Sequence, residues 1–131
     1  LFLYTKFMDY TVAWKIRLSD DERMRLSLFH KARTAAEKAA QVLVEEFGAE
    51  QVYLIGSLLK EDIFTEYSDV DIAVSGLKTE RYFRALSAIW GLFPKGMEVD
   101  LIPLEDADEY IRSKIFYEGV LLYDKERTVR I

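Results

Sequence analysis

Apolar residues between Ser19 and Gly48 fall at helical spacing. Phe29, Ala32, Ala36, Ala39, Leu43 and Phe47 step by three or four and form one stripe. Ahead of them, Ser19-Asp20-Asp21-Glu22 has the form of a capping box, and its three acids suit the positive end of a helix. Gly48 is the natural stop. The pattern predicts a long helix from Ser19 to about Phe47, with a break near Ser27 left open because the length exceeds the usual range. Residues 1–18 fit neither period. Val12, Trp14 and Ile16 alternate as in a strand, whereas Tyr10, Trp14 and Arg17 suit a helix. They are read as an N-terminal arm that packs its aromatics on one domain spanning 19–131.

Beyond Gly48 the period changes to two. Val52-Tyr53-Leu54-Ile55 is a short apolar run and predicts a buried strand, Gln51–Ile55. Val70, Ile72 and Val74 alternate with Asp69, Asp71 and Ala73, which predicts a half-buried strand, Val70–Ser75, ended by Gly76. Thr79 is placed to cap a helix to about Trp90, with Tyr82, Phe83, Leu86, Ile89 and Trp90 inward. Phe93-Pro94-Lys95-Gly96 is a turn, and Glu98–Ile102 a third strand closed by Pro103. Asp106 and Glu109 open another helix, with Ile111 and Ile115 inward and Gly119 at its end. Val120–Tyr123 is a last strand, with a mostly charged tail, Asp124–Ile131, after it. Together these predict an α/β (α+β) fold: a small mixed sheet of about four strands flanked by helices, with a long N-terminal helix.

Composition narrows the classes. A chain of 131 residues, half of them hydrophobic, is expected to form one soluble domain. Its 23 acidic residues against 18 basic ones argue against nonspecific coating of nucleic acid, which needs a basic surface. Without cysteine, disulfides and thiolate zinc sites are excluded. No apolar run approaches the ~18 residues of a membrane span, and LFLYTKFMDY lacks a signal-peptide cleavage pattern. The cytoplasm is the expected compartment, and self-association is left open.

The candidate chemistry lies in Gly56–Val74. Alternation puts Asp69 and Asp71 on one strand face, opposite Val70, Ile72 and Val74. Two carboxylates so placed repel, and a cation between them relieves the repulsion. Converging carboxylates suit Mg²⁺, a hard ion that prefers oxygen ligands. Before them, Gly56-Ser57 ends a strand, and Leu58-Leu59-Lys60 is read as opening a helix. Glycine admits close backbone approach, Ser57 offers a hydroxyl, and free N–H groups at such a turn suit a phosphate. Asp100 on the third strand joins the pair if that strand lies beside Val70–Ser75. Three carboxylates facing a phosphate cradle fit two-metal phosphoryl chemistry. The plainer readings stand beside these. The aspartates also fit a solvated strand end, Gly56-Ser57 an ordinary turn, and Lys60 a solvated helix lysine. Glu98 lies on the strand face of Asp100 and offers the same chemistry. Ser68 is read as a turn former and His30 as a surface or satisfied helix residue.

Taken as a set, Gly56-Ser57, Ser68-Asp69-Val70-Asp71 and Asp100 resemble the nucleotidyltransferase superfamily of DNA polymerase β, and more closely its small stand-alone members, the minimal nucleotidyltransferases of the antitoxin-like MNT type. The resemblance covers about Val52–Tyr123 and includes the closing Glu118-Gly119-Val120. It implies ATP or another NTP bound with two Mg²⁺ ions. Asp69 and Asp71 would hold the ions. Asp100 would complete the catalytic ion site and help activate the acceptor. Gly56, Ser57 and Lys60 would bind the triphosphate. The acceptor hydroxyl would attack the α-phosphate and pyrophosphate would leave.

Two departures stand out. Lys60 and Glu61 occupy places where the family usually carries arginine and glycine, and the loop between Ser57 and Asp69 is one residue longer than the family pattern. Stand-alone members this small often pair with a helical HEPN-type partner in toxin–antitoxin modules, and some modify a partner tyrosine with AMP. The resemblance therefore implies protein adenylylation ahead of antibiotic modification or RNA tailing, which usually require a second domain. The rival class is an antitoxin-like subunit, weak or inactive in catalysis, that acts by contact with a helical partner; Lys60 and Glu61 give it support. A sugar-nucleotide transferase, where paired aspartates also bind metal, needs a much larger fold.

Overall fold

The computed structural model describes residues 2–129. The first helix, α1 (Phe2–Phe47), is longer than predicted and runs unbroken through Ser19 and Ser27. Its start is not at the capping box. No glycine or proline precedes Gly48, so nothing in the chain interrupts the backbone ladder. Glu22 does not reach back to cap; it accepts from Arg25 Nε at 3.0 Å, one turn on. The side chains of residues 1–16 and 18 lie outside those described, and with them the packing expected of the aromatics. The predicted stripe is buried throughout, from Phe29 and Ala32 to Leu43 and Phe47.

The chain then forms four strands: β1 (Gln51–Ile55), β2 (Val70–Ser75), β3 (Val99–Pro103) and β4 (Val120–Asp124). They make one mixed sheet in the order β3-β2-β1-β4. β1 pairs antiparallel with β2 and β4, and β2 pairs parallel with β3. Between β2 and β3 lies α2 (Tyr82–Trp90), and between β3 and β4 lies α3 (Glu109–Glu118). A short helix, α4 (Lys125–Val129), forms where only a charged tail was expected.

The sheet's two faces are unlike. Val52, Leu54, Val70, Ile72, Val74, Val99 and Leu101 point into the main core with α1 and α2. On the other face Ala73, Leu104 and Ile115 form a small second core, flanked by Tyr53, Ile55 and Ile102. This is the face that carries Asp71, and α3 covers only part of it.

Four helix details differ from expectation. Thr79 begins a 3₁₀ turn, Thr79–Arg81, instead of capping α2. The side of α2 that faces the core is set by Ala85 and Ile89, while Phe83 and Trp90 are exposed. In α3, Ile115 is buried but Ile111 is 39% exposed. Both helices are short, and a short apolar-rich helix has several faces that satisfy a periodic pattern. Asp108, not Asp106, caps α3 by accepting from Ile111 N at 2.8 Å. Among the described residues, no helix is long and apolar enough to cross a membrane.

Candidate active site

The chain turns sharply where β1 ends. Gly56 has φ 85° and ψ −161°, a region open to glycine alone. A Cβ on Gly56 would lie 2.7 Å from Asp71 Oδ2. The carboxylate of Asp71 is therefore seated against the α-carbon of Gly56, a consequence of the register Ile55↔Asp71. Glycine is needed here for both conformation and space.

No α-helix forms after Gly56. Ser57–Leu59 is a single 3₁₀ turn, closed by Lys60 N donating to Ser57 O at 3.2 Å. Leu58 and Phe64 are buried and tie the loop to the core, so the chain turns back before a second helical turn can form. The expected helix N-terminus is thus reduced to the Gly56-Ser57 corner. Ser57 is half-buried and Lys60 exposed.

The loop from Lys60 to Asp69 is held from α1. Arg25 Nη1 donates to the carbonyls of Glu61 and Phe64, and Arg33 Nη1 to that of Leu58 at 3.2 Å. Phe64 packs edge-on against Phe29 with ring centres 5.4 Å apart. Ser68 Oγ accepts from Thr65 N at 2.9 Å, the turn-forming role expected of it.

β2 and β3 lie side by side in parallel, with Asp71 opposite Asp100. The sheet thereby meets the condition of strand adjacency on which a role for Asp100 depends. Glu98 precedes β3 and gives its backbone carbonyl to Val70 N at 2.9 Å. Asp100 is thus the carboxylate in register with Asp71. Asp69 stands just before β2, and Asp69 and Asp100 are both exposed.

Asp71 sits at the centre of the group. Its pKa is raised above the usual carboxylate range, first by burial, then by the negative charges of Asp100 and Asp69, with Lys114 acting in the opposite sense. The three carboxylates therefore share one field. Among the described residues, no group of three or more His, Cys, Asp or Glu is drawn close enough to hold a metal ion. The aspartates are gathered but not closed on one another. Their donor chemistry fits a hard divalent cation: the side chains offer oxygen ligands only, and a cation would offset the repulsion of Asp71 by Asp100 and Asp69.

Lys114, on α3, is a residue that sequence reasoning missed. Nothing in the local pattern marks it; its place depends on how α3 lies across the sheet. A cavity of about 490 Å³ between Gly76, Tyr82, Phe83, Pro103 and Glu105 lies at the opposite ends of β2 and β3. It is separate from the carboxylates.

The arrangement is thus a mixed sheet with a Gly-Ser corner after β1, Asp69 just before β2, Asp71 within it and Asp100 on its parallel neighbour. The sequence profile described as "Polymerase beta, Nucleotidyltransferase" matches residues 37–128, most of the chain. The chain belongs to the polymerase β nucleotidyltransferase family and is an enzyme of nucleoside monophosphate transfer. No curated protein is similar enough to count as a match.

Several solved structures share the fold. The toxin–antitoxin MntA-HepT matches with TM-score 0.54 at 19% identity, over 73% of this chain and 75% of that one. The complex of tri-AMPylated Shewanella oneidensis HEPN toxin with MNT antitoxin matches with TM-score 0.55 at 20% identity, over 76% and 77%. A toxin–antitoxin with AMP-PNP matches with TM-score 0.57 at 21% identity, over 70% and 76%. At these identities the likeness is one of fold.

Proposed function

We propose that this protein transfers AMP from Mg·ATP to a protein hydroxyl, a tyrosine of a HEPN-type helical partner, and releases pyrophosphate. The observation that carries this reading is the register of Asp71 with Asp100 beside Gly56, in a chain of this family. The adenine nucleotide and the partner are supported by the fold neighbours, one with AMP-PNP and one in which a HEPN toxin is AMPylated. A cytoplasmic setting, where Mg·ATP is abundant, suits such a reaction.

Asp69 and Asp71 would hold two Mg²⁺ ions, with Asp100 completing one site. When bound, the ions neutralise phosphate charge and polarise the phosphoryl oxygens. Gly56 leaves room for phosphate at the corner, and Ser57 adds a hydroxyl donor. Lys60 contributes a point charge from the loop. Asp100, exposed and in register with Asp71, accepts the proton of the incoming hydroxyl. A bond forms between that oxygen and the α-phosphorus as the bond to the bridging oxygen breaks.

The test is incubation with Mg·ATP and a HEPN-type helical protein, read by peptide mass spectrometry. We expect an adenylyl group on a tyrosine of that protein, absent with Asp71→Asn. ATP binding without modification of any hydroxyl would remove the acceptor assignment. The second reading would then stand, an antitoxin-like subunit that acts by contact. It is favoured by Glu61 in the phosphate loop and by the carboxylates not being closed on one another.

A further inference from the structure

We propose that the cavity at the carboxyl ends of β2 and β3 is a docking pocket for an arginine side chain of a protein partner. The proposal goes beyond nucleotide transfer. It applies equally to a partner that is modified and to one that is only held by contact.

The parallel half of the sheet builds the pocket. β2 and β3 end side by side, and the chain leaving β2 passes through Thr79–Arg81 into α2. A crevice outside the carboxyl ends of parallel strands is a recurrent place for ligands. The volume, about 490 Å³, is that of a ligand site rather than a packing defect. Its walls are held in place. Glu105 Oε2 accepts from Gly76 N at 2.8 Å, and Oε1 has no protein donor among the described residues. The Tyr82 hydroxyl donates to Leu101 O at 2.7 Å. Phe83 meets Tyr82 with ring planes at 79° and centres 5.2 Å apart.

The lining names the occupant. Phe83 lines the pocket yet is 78% exposed, so its ring adds little to the core and presents a face to what enters. Glu105 and Asp106 line the pocket too, and among the described residues neither pairs with a lysine or arginine. Arg81, next to Tyr82, is engaged elsewhere: it lies over Phe47 at 4.6 Å and donates to Glu46 O at 3.0 Å. Lys78 is the one cation in the lining, so the two carboxylates leave a negative excess. An aromatic face beside open carboxylates suits a guanidinium, which is planar, weakly hydrated, and both stacks on rings and donates to carboxylates. The net charge of −5 favours the approach of such a cation. The apolar surface also extends past the pocket. Trp90 follows Phe83 by seven residues, hence on the same side of α2, and is 43% exposed. A protein surface, more than a small molecule, uses that extent. Gly76 follows Asp71 by five residues, about 16 Å at the rise of a strand. A partner seated here therefore leaves the aspartates uncovered.

The test is an NMR titration of the ¹⁵N-labelled chain with N-acetyl-arginine methylamide, its glutamate counterpart and free arginine. We expect saturable amide shifts gathered at 76–83 and 103–106 with the capped arginine, and none with the capped glutamate. Phe83→Ala and Glu105→Gln should each weaken binding at least about 5-fold, the scale of a cation–π or charge-assisted contact. Glu105→Gln keeps an acceptor for Gly76 N, and thermal melts verify that both variants fold. Absent shifts, shifts spread over the acidic surface, a response to the capped glutamate, or unchanged affinity in both variants would overturn the proposal. Free arginine binding more tightly than the capped form would mark a small-molecule site and overturn the docking assignment.

Discussion

At the scale of single residues, the site is a balance of charge around Asp71. In the metal-free protein its pKa is raised by burial and by Asp100 and Asp69. The folded state thus holds this proton more tightly than the unfolded chain. Stability falls as pH rises from the ordinary carboxylate range through the raised pKa, and the full penalty is present above it. Asp71→Asn removes that penalty. We predict a higher melting temperature for Asp71→Asn at neutral pH in chelator, and a flatter stability profile through the mildly acidic range. A lower melting temperature would mean that Asp71 stabilises the fold through contacts of its carboxylate. Gly56 answers to a different constraint. At φ 85° and ψ −161°, with Asp71 Oδ2 2.7 Å from where a Cβ would stand, Gly56→Ala is strained twice. Denaturant unfolding should show a loss of about 1–3 kcal/mol, and Mg·ATP affinity should fall with it.

Elements decide what those residues can reach. Period two in Val70–Ser75 makes the shared face of Asp69 and Asp71 legible in the sequence, because alternation is a local property of a strand. The pairing of Asp71 with Asp100 is not legible there, since strand adjacency is set by packing between distant segments. Lys114 is hidden for the same reason. The start of α1 is misplaced by its sequence because Ser19-Asp20-Asp21-Glu22 has the chemistry of a cap, yet the same residues continue a helix when no breaker precedes them. Periodicity places Phe83 and Trp90 inward, but the small Ala85 lets α2 approach along another side. The role of α3 can be tested at Gly119. Its φ of −73° is open to any residue, so the constraint is space: a methyl would strike Ile115 O and Ile55. Gly119→Ala should cost about 1–3 kcal/mol by overpacking. It should also lift the end of α3 on the sheet face that carries Asp71 and weaken Mg·ATP binding. Unfolding curves beside titrations separate the two effects, and unchanged affinity in a destabilised variant would detach α3 from nucleotide binding.

On the scale of the whole molecule, the fold divides labour between the two faces of one sheet. The α1–α2 side buries the main core, and α1 pins the loop between Gly56 and Asp69 through Arg25, Arg33 and Phe29. The other side carries Asp71 and is only partly covered by α3, which leaves Asp69 and Asp100 exposed. With net charge −5 the protein as a whole repels a triphosphate, so binding must be carried by cations gathered locally. The proposed function requires that Asp69, Asp71 and Asp100 form a metal-dependent nucleotide site. The measurement that tests it most directly is a calorimetric titration of ATP into wild type and Asp71→Asn, with and without Mg²⁺. The account predicts binding by the wild type only when Mg²⁺ is present, weakened at least about 100-fold in the variant, the scale on which one preorganised charge acts. Equal affinity in both proteins, or binding indifferent to Mg²⁺, would contradict it.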